Sequence, residues 1–505
     1  MNLSKSIIQE INPKNVEIPQ KEIFDYPEKV LQFGTGVLLR GLCDYFIDKA
    51  NKSGIFKGRV VVVKSTGSSG VDDFSRQDNL YTVCVRGIEG GIKKEENIIN
   101  ASISRVITAK DHWEDILSCA ANPEMQVVIS NTTEVGLVAV KDNIHASPPE
   151  SFPGKLLAFL YQRYKIFGAD PEKGMVIIPT ELIPGNGDLL LSILTHLARE
   201  NQLEEKFIRW LKQANAFCNS LVDRIVPGKL PVKEQEKTEQ LLGYHDELMI
   251  MCEIYRLWAV EVKSERAKKI LSFSESDPGL ILAPDIQVFR DLKLRILNGS
   301  HTLSCGLAHL SGFTIVREAM NNSSFANYVE ELMTEEIIPV ITNKHLTSEM
   351  AEEFAKKVNE RFRNPYLEHK WLSITMQYAS KMHMRDLPLL IKYYEMYSRV
   401  PSHMALGWAA HLLFMKSTKG ADGQYYGEVN GKSYLVNDNQ AAHYAELWED
   451  PANAVARFLA DKTLWEADLN QLPGFTNAVA ENLEYIQKHG AAKAINHIQA
   501  VKSIH

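Results

Sequence analysis

Val30-Leu31-Gln32-Phe33-Gly34-Thr35-Gly36-Val37-Leu38-Leu39-Arg40 sets the fold of this chain. Its first four residues read as a short buried strand, Gly34-Thr35-Gly36 as a turn, and Val37 to Arg40 with Leu42 to Ile47 as a stretch of helical spacing. Strand, glycine turn and helix in that order are what a dinucleotide-binding fold requires. The glycines let the backbone approach a pyrophosphate, and the helix amino terminus meets its charge. Leu39 stands where the third glycine of GxGxxG would be; a two-glycine turn on its own is more often an ordinary turn.

Working outward, Arg59-Val60-Val61-Val62-Val63 is a continuous apolar strand at the distance expected for the second strand of a βαβ unit. Where that strand ends, the residue that usually grips the adenosine ribose is acidic, and here the chain has Lys64-Ser65-Thr66. Lys64 has two readings: a partner for a 2′-phosphate, or a solvated strand-end charge. Further strands are expected at Tyr81–Val85, Val127–Ser130 and Met175–Ile178, with helices at Trp113–Cys119 and Leu156–Tyr164 between them. Such alternation means an α/β sheet. Asn131-Thr132-Thr133-Glu134 and the segment from Pro179 through Glu181 to Asn186 fall at carboxyl ends of strands, the edge where open α/β sheets bind ligands. Asn131 is assigned to the cofactor, and Glu134 and Asn186 are candidate site residues. A strand-end turn and a helix cap are their structural alternatives.

Beyond Pro284 the pattern turns to long helical periods, as in Phe325, Tyr328, Val329 and Leu332, with Pro339 expected to close that helix. Strand signals nearly vanish, except at Gln424–Val436, where Asn430-Gly431 reads as a hairpin turn. The expectation is an α/β chain of two domains: a Rossmann-like dinucleotide-binding domain over 1–285, then a mostly α-helical domain over 286–505. An interdomain cleft would then be the natural place for a small-molecule site.

Just past that boundary comes Lys293-Leu294-Arg295-Ile296-Leu297-Asn298-Gly299-Ser300-His301. On a helix of 3.6 residues per turn, Lys293, Asn298 and His301 fall in one sector. Leu292, Leu294, Ile296, Leu297, Leu303 and Leu307 make the helix apolar nearly all round, which predicts burial. A buried ammonium is disfavoured, so Lys293 would move toward the range where a neutral amine accepts a proton. Asn298 can donate to an alkoxide or carbonyl oxygen, and His301 can hold a neighbouring hydroxyl. The spacing alone leaves equal room for a structural lysine paired with a carboxylate and a capped core histidine.

Composition narrows the partners. The chain has 505 residues, enough for two cores, and a net charge of −7, which argues against nucleic acid or an anionic membrane as its main partner. Its six cysteines are scattered, with no CxxC pair and no Cys/His spacing that suits zinc, so no metal site is expected. No apolar run approaches the length of a membrane span. A cytoplasmic protein acting on a small molecule is predicted; its oligomeric state is not legible.

With these parts in place the sequence resembles the mannitol dehydrogenase family of polyol-specific long-chain dehydrogenases. The resemblance rests on Lys293, Asn298 and His301 at the family's signature spacing and on Phe33-Gly34-Thr35-Gly36 with Arg40. It extends through Gln77-Asp78-Asn79-Leu80-Tyr81-Thr82, Thr133-Glu134, Val222-Asp223-Arg224-Ile225 and Arg363-Asn364-Pro365. It covers essentially the whole chain and implies an NAD-dependent, metal-independent reaction between a secondary alcohol and a ketone. By resemblance Lys293 is the catalytic acid/base, Asn298 polarises the reacting oxygen, His301 orients the substrate and Glu134 relays protons. Gly34, Thr35, Gly36 and Arg40 meet the cofactor, and Lys381 touches the substrate. Polyol members commonly carry an asparagine where this chain has Leu182 and an arginine where it has Ser373. Those departures suit a sugar acid, whose carboxylate needs a cation; Lys370, Lys381 and Arg363 are the nearby candidates. A non-catalytic sensor of a sugar acid or dinucleotide is the rival from another class, but a sensor has no use for a proton acceptor.

Overall fold

The computed structural model describes residues 1–65, 71–132 and 136–502. It divides into two compact units, Met1–Gly87 with Ile92–Ile286, and Ile88–Gly91 with Gln287–His505. In the first unit, six strands among the described residues make one sheet: β1 (Glu28–Phe33), β2 (Arg59–Lys64), β3 (Ile103–Thr108), β4 (Val127–Ser130), β5 (Val176–Pro179) and β6 (Ala216–Phe217). The order is β3-β2-β1-β4-β5-β6 and all pairings are parallel. This is the doubly wound order of dinucleotide-binding folds, and the chain switches direction of travel between β1 and β4.

Alternate residues of each strand feed two different cores. Val30, Val60, Val62, Val127 and Val176 pack to one side, while Leu31, Phe33, Val61, Val63, Val128 and Ile177 pack to the other. Burial on both faces is why these strands read as unbroken apolar runs. The strand expected at Tyr81–Val85 does form, as Tyr81–Glu89, but it pairs with Ile250–Glu253 in a separate three-stranded sheet. The place beside β2 is taken by β3, an edge strand whose partly exposed Ser104 and Arg105 bond Glu28. Those polar residues hid it from a search for apolar runs.

The helix after the glycine turn is broken. Val37–Gly41 ends at Leu42, with φ −129° and ψ −70°, and Cys43–Lys52 begins there. Leu39, in the third-glycine place, fills the space over Gly34, since a Cβ on Gly34 would lie 2.9 Å from Leu39 Cδ1.

The second unit is helical apart from a small sheet. Its hairpin pairs Val429 with Lys432, and Asn430 and Gly431 take φ of 51° and 72°, as a two-residue turn of this kind demands. Three segments among the described residues are π-helical: Leu292–Gly299, Leu332–Ile337 and Met382–Asp386. One of them corrects an expectation. Pro339 does not close its helix, because the π turn before it shifts the hydrogen-bond register and the chain continues as Ile338–Ile341.

Candidate active site

Lys293, Asn298 and His301 share the run Leu292–Gly299 and Ser300–Leu310. Because Leu292–Gly299 is π-helical, a turn closes on the fifth residue and not the fourth. Lys293 and Asn298, five apart, therefore point closer in direction than a 3.6-residue helix would bring them. Burial also differs from expectation. Leu292, Ile296, Leu297, Leu303 and Leu307 are in the core, but Lys293, Leu294 and Asn298 are half-buried, so the lysine occupies a partly open strip and not the core. Asn298 is held through its carbonyl, which accepts from Thr302 Oγ1 at 2.7 Å, and Thr302 Oγ1 in turn accepts from Arg385 Nη1 at 3.0 Å.

His301 is the most confined of the three, 9% exposed. Its ring stacks on Phe362 and meets the edges of His369 and Trp371. Nε2 has no hydrogen-bond partner among the described residues. Burial, followed by the electrostatic effects of His369, Arg361, Arg385 and Lys381, holds the imidazole well below its ordinary range, so it is neutral near pH 7. A neutral ring with an unsatisfied nitrogen suits a ligand hydroxyl.

Of the cations expected to serve the substrate, Lys381 is near this histidine. It is half-buried, donates from Nζ to Ile374 O at 2.7 Å, and is pushed down by burial and by Arg385. Lys370 is exposed and Arg363 half-buried, and neither is among the charges acting on His301. Arg361, Arg385 and His369, which the sequence reading missed, are. They lie on different segments, and only the fold collects them.

In the first unit the glycine turn follows β1 at the switch point. Gly34 takes φ +128°, and a Cβ there would also lie 3.3 Å from Asn131 O. Gly36 differs: among the described residues nothing lies within 4 Å of where its Cβ would be. That cradle fits a dinucleotide's pyrophosphate. Thr35 is half-buried between them. Asn131 bridges strand ends, donating from Nδ2 to Thr180 O and Oγ1. Lys64 ends β2, half-buried and in register with Thr108.

Two candidates are revised here. Arg40 is turned inward, donating from Nη1 to Leu248 O at 2.8 Å and lying against the rings of Phe74 and Tyr81. Asn186 is fully buried; its Nδ2 faces Pro179 O, Glu181 O and Ser220 O, and its Oδ1 accepts from Gly187 N and Ser220 N. With both ends of its amide taken by backbone, Asn186 shapes the loop after β5 and has no group left for substrate. Glu134 lies outside the described residues. The strand-end carboxylate that is described, Glu181, accepts from Ser130 Oγ and from Thr132 N and Oγ1, and burial raises its pKa. Among the described residues no group of three or more His, Cys, Asp or Glu is placed to hold a metal ion, and no helix is long and apolar enough to cross a membrane.

Residues 28–271 match the mannitol dehydrogenase Rossmann domain, and residues 285–487 match the mannitol dehydrogenase C-terminal domain. The chain belongs to the mannitol dehydrogenase family. It is thus a dehydrogenase acting on a CH–OH group. Relatives in this family include an altronate oxidoreductase of Bacillus subtilis (strain 168), 37% identical over 94% of this chain and 97% of its own. Another altronate oxidoreductase, of Escherichia coli O7:K1, is 37% identical over 93% and 96%. In fold the chain is similar to mannitol 2-dehydrogenase of Pseudomonas fluorescens, solved with NAD and D-mannitol, with a TM-score of 0.70 at 22% identity over 99% of this chain and 100% of that one. A substrate-free D-sorbitol dehydrogenase gives 0.78 at 19% identity over 98% and 100%. The Rossmann match lies almost wholly in the first unit, and the C-terminal match runs from 285, two residues before the second unit's Gln287.

Proposed function

We propose that this chain is an NAD-dependent oxidoreductase that interconverts D-altronate and D-tagaturonate. The substrate comes from the relatives at 37% identity, and the chemistry from the residues. When bound, NAD+ supplies the acceptor for the hydride that leaves the carbinol carbon. Lys293 Nζ takes the hydroxyl proton in the same event, and in the reductive direction its ammonium returns that proton to the carbonyl oxygen. Asn298 donates amide hydrogens to the reacting oxygen, stabilising negative charge as it develops. His301 fixes an adjacent hydroxyl through Nε2. Gly34 supplies the positive φ that shapes the turn, Gly36 leaves the backbone bare for the cofactor's pyrophosphate, and Glu134 carries the proton onward to solvent.

The observation that carries this reading is that Lys293 and Asn298 share one π-helical run, followed by a buried imidazole whose Nε2 has no partner among the described residues. The location that goes with it is the cytoplasm, where six buried free thiols stay reduced. The experiment is the initial rate of NADH and of NADPH oxidation with tagaturonate, fructuronate and fructose, in a chelator. Tagaturonate with NADH should be fastest. Faster turnover of fructuronate or fructose would reassign the substrate, NADPH preference would assign Lys64 to a 2′-phosphate, and binding of NADH without its consumption would favour the sensor.

A further inference from the structure

The basic groups whose electrostatics act on His301 come from separate segments of the second unit: Arg361 on the helix Ser348–Phe362, His369 in the loop after it, Lys381 at the end of Tyr378–Lys381 and Arg385 in the π segment Met382–Asp386. Arg361 is 8% exposed and directly precedes Phe362, the ring on which His301 stacks. His369 is half-buried, its ring centroid 5.6 Å from that of His301. Lys381 and Arg385 are anchored by Ile374 O and Thr302 Oγ1, which fixes two positive charges at the cluster's edge.

One acid acts on each of those two cations. Asp386, beside Arg385, is fully buried, neither oxygen has a partner among the described residues, and burial holds its carboxyl well above the usual range. Asp438, which acts on Lys381, accepts from Ala379 N and Gln440 N and is likewise raised by burial. Positive charge gathered in a half-buried place is stabilised by an anion. His301 Nε2, more than nine-tenths buried and unpartnered among the described residues, marks the same place as one built for a ligand.

We propose that Arg361, His369, Lys381 and Arg385 form the subsite for the substrate's carboxylate, with Arg361 and His369 as the specificity-determining pair. This rests on the sugar-acid reading above and replaces Arg363 and Lys370 as its cations. Arg361 contributes a charge-assisted hydrogen bond to one carboxylate oxygen, and neutral His369 contributes an N–H. Ser373, standing where polyol members carry an arginine, leaves recognition to this pair.

The test compares kcat/KM for tagaturonate with that for D-tagatose, which has a hydroxymethyl group in place of the carboxylate, both with NADH. In Arg361→Gln the ratio of the two should fall about 10- to 100-fold, chiefly through KM for tagaturonate, and Arg361→Lys should recover part of it. Should Arg361→Gln fold poorly, as judged by its melting temperature, His369→Asp reads the same site: a negative charge there should also lower the ratio at least about tenfold. An unchanged ratio in folded Arg361→Gln and His369→Asp overturns the subsite, as does an equal loss on both substrates. Wild-type protein that turns over tagaturonate while these folded variants keep the wild-type ratio defeats this inference alone. Wild-type protein inert toward tagaturonate defeats the function proposed above as well.

Discussion

The imidazole of His301 lies flat on the ring of Phe362, centroids 3.9 Å apart and planes within 6° of parallel. The stack fixes the direction of Nε2, the nitrogen assigned to a substrate hydroxyl. Phe362→Leu keeps the site apolar but removes the flat face, so kcat/KM for tagaturonate should fall about 2- to 10-fold, the worth of an aromatic pair. Steady-state kinetics beside a melting curve separate the cases. A lower melting temperature with intact kcat/KM would make Phe362 a packing residue only.

The two glycines of the turn should respond differently to alanine. Gly34 has φ +128° and close neighbours, so Gly34→Ala should lower stability by about 1–3 kcal/mol. Gly36 has φ −62° and no neighbour within 4 Å of its Cβ position among the described residues, so Gly36→Ala should leave the melting temperature in place while weakening NADH binding, because the new methyl group enters the volume given to the pyrophosphate. Fluorescence titration with NADH checks this. Unchanged affinity in Gly36→Ala would take the cofactor away from the turn.

Asp44, fully buried next to the turn, accepts from Gln32 Nε2 at 3.2 Å. Burial raises its pKa to about 7, against the opposing effects of Gln32 and Arg40. The folded protein thus holds a proton that the unfolded chain releases near pH 4. The contribution to stability is fully present below about pH 4 and is lost as pH rises through about 7. Asp44→Asn should remove this loss, so between about pH 5 and 8 its melting temperature should decline less than that of the wild type. Parallel declines would show that Asp44 ionises alike in both states.

Much of this was legible because burial writes itself into residue type. β1, β2 and β4 are apolar on both faces and were read from Val30–Phe33, Arg59–Val63 and Val127–Ser130. The hairpin was read from Asn430-Gly431, where positive φ restricts the choice of residue. The edge strand Ile103–Thr108 was not, since half of it faces away from the core. The π turns were invisible to a 3.6-residue period, so the alignment of Lys293 with Asn298 was underestimated and the stop at Pro339 was misplaced. Asn186 was misread because loop-shaping and ligand-binding asparagines share a signature. Arg361 and His369 could have been found only by knowing which segments face His301.

Lys293 bears the central claim, and Lys293→Ala tests it most directly when turnover of tagaturonate and the dissociation constant for NADH are measured on the same preparation. Turnover should fall by about 10²- to 10⁴-fold, the range for loss of a general acid/base, with NADH binding kept within about twofold of wild type. Turnover near the wild-type value, or loss of NADH binding in step with activity, would contradict the assignment of the transferred proton to this amine.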